Sequence, residues 1–213
     1  MEKAVTNGHN GSSQGSVFSV KRVAFIGMFS AISAVLMFLE FPLPFAPAFY
    51  KLDFSEVPVM IGSFALGPLS GVLIELIKIL IKFVIKGTQT AGVGELANFI
   101  IGVSFVLPAS IYYQNGKTKK RALIGMAIGG AAMIVVGCLV NAFVLLPTYA
   151  AAFGMPMDTL ISMGTAVNSA VNSVLTFAVL CVAPFNLVKA LIVSFITFIL
   201  YKRISVLIHS AGV

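Results

Sequence analysis

The sequence predicts an all-α integral membrane protein, a single bundle of six transmembrane helices with both termini on the cytoplasmic side. Three observations carry that reading. Of the 213 residues, 59% are hydrophobic and 10% charged, whereas soluble domains are roughly 25% charged. The apolar residues fall into runs near the ~20 residues that a spanning helix needs, with room for about six such helices and no separate soluble domain. The basic residues gather beside those runs, at Lys21-Arg22, in KTKKR at 117–121 and at Lys202-Arg203, as cytoplasmic loops do. The net charge of +7 is therefore an orientation signal, and nucleic acid is not an expected partner.

Residues 1–18 are polar and rich in Gly, Ser and Asn. Such a segment cannot bury a core and is expected to be a disordered tail. The membrane domain is placed at 19–205, with a short tail at 206–213. The first helix is read at 23–39. Its Gly27, Ser30, Ala31 and Ala34 make overlapping small-xxx-small pairs, which let another helix approach closely. That helix is either in this chain or in a partner. EFPLPFAPAFYKLDF at 40–54 follows, and its three prolines rule out a continuous helix. Its aromatics suit either a lid over an outer pocket, with Phe45, Phe49 and Tyr50 covering a ligand, or an interfacial anchor.

Runs at 55–66 and 69–85 are divided by Gly67-Pro68. Charge parity separates them into two crossings. With Lys21-Arg22 and KTKKR on one side, an even number of spans lies between, and helices at 23–39, 55–66, 69–85 and 95–113 make four. The third carries Glu75, Lys78, Lys82 and Lys86 as one stripe. Glu75 and Lys78 are expected to pair and Lys86 to snorkel, and Lys82 is left as a candidate for a polar ligand. The fifth helix is expected at 122–146, stopping at Pro147, and the sixth at 185–200. Residues 158–183 are read as helical or re-entrant structure on the outer side.

Under this topology Glu95 and Asn98 start the fourth helix, Asn141 ends the fifth, and Asn186 and Lys189 start the sixth, all at the outer end. Buried amides and charges need partners. Glu95 and Lys189 could pair with each other, or the whole set could face a ligand. No phosphate-binding loop, HExxH or Cys/His cluster occurs in the sequence, so neither a catalytic nor a metal site is expected. Cys138 and Cys181 lie in apolar runs and read as packing residues. Asn side chains both donate and accept, and so suit an imide-like ring edge. Lysine suits a carbonyl or ring nitrogen, a carboxylate suits hydroxyls, and aromatic side chains suit a flat ring face. The residues by themselves point to a small amphipathic ring compound.

At these positions the chain resembles a known family. KLDFSEVP at 51–58, ALGPLSGVLIELIK at 65–78, KGTQTAGVGELANF at 86–99 and PFNLVKALIVSFITFILYKR at 184–203 are similar to the riboflavin-binding S-components of energy-coupling factor (ECF) vitamin transporters. The resemblance runs from about residue 20 to 204. It implies a six-helix bundle in the bacterial plasma membrane that captures riboflavin, and also flavin mononucleotide (FMN), from outside. It further implies Asn141, Asn186 and Lys189 on the isoalloxazine edge, Glu95 near the ribityl chain, and Asn98 beside it. Riboflavin would be the transported ligand, and no cofactor is expected. The partners implied are a transmembrane T-component, docked on Gly27, Ala31 and Ala34, and two ATPase subunits that do the hydrolysis. Where relatives often carry two alanines in the docking helix, Gly27 and Ser30 stand here. Two alternatives remain at this stage. One is an S-component for another vitamin, although cationic thiamine would want more acids than Glu95. The other is a stand-alone secondary transporter with Glu75, Lys78 and Lys82 on a proton path.

Overall fold

The computed structural model describes residues 19–88 and 92–210. The tail expected at 1–18 lies outside the described residues. The chain is mostly helical. Helix α1 spans Val20–Phe38, α2 Glu56–Leu66, α3 Pro68–Lys86, α4 Val93–Gln114 and α5 Lys119–Val140. After a π-helical turn at Asn141–Leu145 come α6, Leu146–Phe153, and α7, Met157–Thr165. Helix α8, Val174–Phe177, leads through a second π-helical turn, Ala178–Val182, into α9, Ala183–Ser210. Among the described residues four helices are long and apolar enough to cross a membrane: Val20–Phe38, Val93–Gln114, Lys119–Phe153 and Val174–Tyr201. Helix α2 is apolar but short, and α3 carries the four charges of the stripe.

Two boundaries differ from the sequence reading, and both differences have one cause. The fifth helix was expected to stop at Pro147, yet α5 and α6 continue as one 35-residue rod to Phe153. The sixth was expected from 185, yet its helix begins at Val174. A proline inside an α-helix removes a hydrogen bond and clashes with the preceding turn. Here each proline comes two residues after a π-helical turn, Pro147 after Leu145 and Pro184 after Val182, and the wider turn accommodates it. Residues 174–183 thus belong to the last long helix, while α7 and the turns after it form a separate piece between the two long helices. The last helix runs to Ser210.

The segment between α1 and α2 folds back on itself. Phe41–Pro42 and Lys51–Leu52 form a short antiparallel ladder, β1 and β2, with Phe41 opposite Leu52. The proline-rich tip between them packs through Leu43, Ala46 and Tyr50 around Phe185 at the start of α9. A core of Val59, Met60, Phe64, Phe105, Met126 and Val193 fills the space between α2, α4, α5 and α9. Helices α4 and α5 pack backbone to backbone: a Cβ on Gly125 would sit 2.6 Å from the Ala109 carbonyl oxygen. That close antiparallel contact brings the start of α4 level with the π-helical turn after α5.

Candidate functional site

Gly92 enters α4 at φ 86, a backbone conformation favourable only to glycine. It delivers Glu95 into the first turn, where a carboxylate faces the positive helix end. Thr88 Oγ1 accepts from the Gly92 N–H at 2.9 Å and donates to Glu95 Oε2 at 3.0 Å. The Gly-rich hinge is therefore tied to the acid it presents.

Asn141 opens the first π-helical turn and is 2% exposed. Its Nδ2 donates to the Gly137 carbonyl at 2.7 Å, and its Oδ1 accepts from the Tyr50 hydroxyl. Burial holds the Tyr50 phenol well above its ordinary pKa, so it remains the donor. Asn186 and Lys189 lie one turn apart on α9, 3% and 5% exposed. No described residue takes a hydrogen bond from the Asn186 amide.

These side chains line one cavity of about 150 Å³, together with Asn98, Phe49, Tyr50, Tyr149 and Phe185. An outer chamber of about 380 Å³ shares Phe49, Asn98 and Tyr149 with it and adds Glu95. The lining thus offers amide donors and acceptors, an ammonium and aromatic rings. Phe49 stacks on Phe177 with an interplanar angle of 3°, and meets Tyr149 edge-on. Amides, an ammonium and aromatic rings at one cavity can bind a small polar ring compound.

Behind Lys189 is a buried charge network that the sequence reading did not assemble. Lys189 Nζ lies 3.5 Å from Asp53 Oδ2 and 3.5 Å from Glu56 Oε1. Lys78 Nζ lies 3.0 Å from the same Glu56 oxygen and 2.8 Å from Glu75 Oε2. The last contact is close enough for an ion pair but is not aligned as a hydrogen bond, and both Glu75 oxygens lack a donor among the described residues. The expected Glu75–Lys78 pair is present, and Lys189 pairs with Asp53 and Glu56. Burial alone would raise the Asp53 pKa, but Lys189 and Lys78 outweigh it and hold the carboxyl below its usual range.

A second charge cluster marks the rim. Glu40 receives Lys82 at 2.8 Å, Lys86 at 2.6 Å and Lys51 at 3.3 Å. Lys82 and Lys86 thereby clasp the start of the segment between α1 and α2. Burial would raise Glu40, but the three ammoniums win and hold its pKa at about 2, against an ordinary 4.5. A depressed folded-state value means that the clasp contributes fully above pH 4.5 and is lost as pH falls toward 2. Between those limits the thermal midpoint of the unsubstituted chain is expected to fall more steeply than that of Glu40→Gln. Parallel curves in a thermal-shift series across pH would show that the clasp contributes nothing.

Of the residues singled out from sequence, Asn98, Asn141, Asn186 and Lys189 meet at the inner cavity, with Phe49 and Tyr50 from the segment between α1 and α2. Glu95 lines only the outer chamber. Phe45 lines neither and is 38% exposed. Gly27 and Ala31 are exposed on α1, whereas Ala34 is packed inside the bundle. Asp53, Glu56 and Tyr149 were not singled out. Asp53 and Glu56 flank a helix start, where acidic residues are ordinary, and Tyr149 lies beyond the proline at which the helix was expected to end.

A family profile described as "ECF transporter, substrate-specific component" matches residues 21–201. The chain is 34% identical over 185 residues to the riboflavin transporter RibU of Staphylococcus aureus (strain TCH60), covering 87% of this chain and 90% of that one. It is 31% identical over 186 residues to the riboflavin transporter FmnP of Bacillus subtilis (strain 168), covering 87% and 92%. A solved structure described as "Structure and mechanism of the S component of a bacterial ECF transporter" superposes with a TM-score of 0.68 at 33% identity, covering 87% of this chain and 95% of that one.

Proposed function

This chain belongs to the substrate-specific components of ECF transporters, and from that premise we propose that it captures riboflavin on the outer side of a bacterial plasma membrane. The observation that carries the reading is the meeting of Asn141, Asn186 and Lys189 at one buried cavity. Two amides and an ammonium match the alternating N–H, carbonyl and ring-nitrogen edge of an isoalloxazine. Glu95 at the outer chamber suits the ribityl hydroxyls, with Asn98 between the two. Phe49 and Tyr50 close over the ring, and Phe45 lies outside that contact.

In this reading residues 19–205 form one membrane domain of six crossings, with both termini cytoplasmic. Gly27 and Ala31 present a small-residue face to a T-component, and Ala34 supports α1 from inside. Two separate ATPase subunits supply the energy, and the chain itself catalyses nothing. FMN is accepted as well, its phosphate meeting the three lysines around Glu40.

The absorption spectrum of the detergent-purified chain tests the ligand. A flavin band is expected, with fluorescence of added riboflavin quenched to a one-to-one end point. Colourless protein that leaves riboflavin fluorescence unchanged contradicts the reading. FMN should compete for the same site, and Lys82→Gln with Lys86→Gln should weaken FMN more than riboflavin. Equal losses for the two ligands would remove the phosphate contact.

A further inference from the structure

Lys189 is held more loosely than its neighbour in the same network. Its two carboxylate contacts are both 3.5 Å, whereas Lys78 has contacts of 2.8 and 3.0 Å. Charge-assisted N–H···O bonds typically measure about 2.7–2.9 Å. Glu56 Oε1 is shared between the two ammoniums, and Lys78 takes the shorter contact. Lys189 is therefore oriented by two carboxylates without being saturated by either, and keeps N–H capacity toward the cavity it lines.

Asp53 divides its two oxygens between different tasks. Oδ1 accepts from the Ser55 N–H at 2.8 Å, which shapes the turn from the lid into α2. Oδ2 faces Lys189, and Asp53 itself lines the cavity. One carboxylate thus joins the end of the lid to the ammonium at the cavity wall. Glu56, one turn further along, holds the same ammonium from behind.

We infer that Asp53 and Glu56 are the positioning residues for Lys189, aiming its ammonium at the ligand and tying that aim to the base of the lid. The inference rests on the reading above that Lys189 contacts riboflavin. It adds two side chains which act on the ligand through Lys189. It also makes Lys78 the residue that limits their grip, by drawing Glu56 Oε1 toward itself.

Asp53→Asn isolates the effect, because the amide oxygen can still accept from Ser55 N–H while the charge facing Lys189 is gone. Riboflavin affinity is read by fluorescence quenching in the full chain, alone and in a Lys189→Met background, with Glu56→Gln as the second variant. At least a fivefold loss is expected from Asp53→Asn and from Glu56→Gln when Lys189 is present. Less than a twofold further change is expected when Lys189 is already methionine. A residue with only a structural role would lose the same factor in both backgrounds, and that result overturns the inference. So does Asp53→Asn binding within twofold of the unsubstituted chain.

A ligand-free arm separates this inference from the identity of the ligand. Thermal midpoints of Asp53→Asn, Lys189→Met and the double variant should be non-additive if carboxylate and ammonium face each other, and additive midpoints overturn the pairing. Failure of the unsubstituted chain to bind riboflavin would count against the ligand while leaving this arm to decide the positioning.

Discussion

Asn186→Ala is expected to weaken riboflavin binding by about 10- to 100-fold, and Lys189→Ala by at least as much. The first removes a buried amide whose hydrogen-bonding groups find no partner among the described residues, so its capacity is available to a ligand. Losing hydrogen bonds in a water-excluded site costs roughly 1–3 kcal/mol, and about 1.4 kcal/mol is tenfold in affinity. The second removes a charge-assisted donor, worth about twice a neutral one. It also leaves Asp53 and Glu56 facing an empty position at 3.5 Å from where the ammonium stood. The two variants should differ in stability. Asn186→Ala should fold and melt much as the unsubstituted chain does, whereas Lys189→Ala should melt earlier because it uncovers buried carboxylates. Equilibrium titration with riboflavin alongside a thermal-shift assay reads both. Unchanged affinity in both variants would remove these residues from the site.

Gly137→Ala is expected to bring a comparable loss of affinity without removing any group that meets the ligand. A Cβ on Gly137 would collide with the Asn186 Nδ2 atom. That atom ends a short flexible side chain, so the amide would rotate away rather than the helix shift. The Gly137 carbonyl also accepts from Asn141 Nδ2 at 2.7 Å, so one residue sets both amides. Alanine is the better helix former by about 1 kcal/mol, which offsets what the rotation costs the fold. The expected result is about a tenfold or greater loss of riboflavin affinity, with a ligand-free thermal midpoint close to that of the unsubstituted chain. The double variant with Asn186→Ala should be no weaker than Asn186→Ala alone. A further loss in the double variant would mean that Gly137 acts by some other route.

Much of this site was legible in the sequence because membrane chemistry makes polar residues conspicuous. Asn141, Asn186 and Lys189 stand out in apolar runs, and the structure brings them to one cavity. The Glu75–Lys78 pair followed from helical spacing. What could not be read was contact between distant segments. Nothing local marks Asp53 and Glu56 as partners of Lys189, which lies 133 positions beyond Glu56 in the chain. Lys82 looked free for a ligand because its partner, Glu40, sits 42 positions away at the start of the lid. The helix ends at Pro147 and Pro184 were misread because proline normally stops a helix. A π-helical turn before each one has no reliable signature in residue type. Both turns also sit beside the candidate site: the first begins at Asn141, and the second ends four residues before Asn186.

The most direct measurement is a structure of the purified chain with riboflavin bound. The account predicts the isoalloxazine ring between Phe49, Tyr50 and the wall formed by Asn141, Asn186 and Lys189, with its polar edge within hydrogen-bond distance of all three. The ribityl chain should run toward Glu95, and Tyr50 should have released Asn141 to admit the ring. A flavin lodged elsewhere, or one whose polar edge faces away from those three side chains, would contradict it.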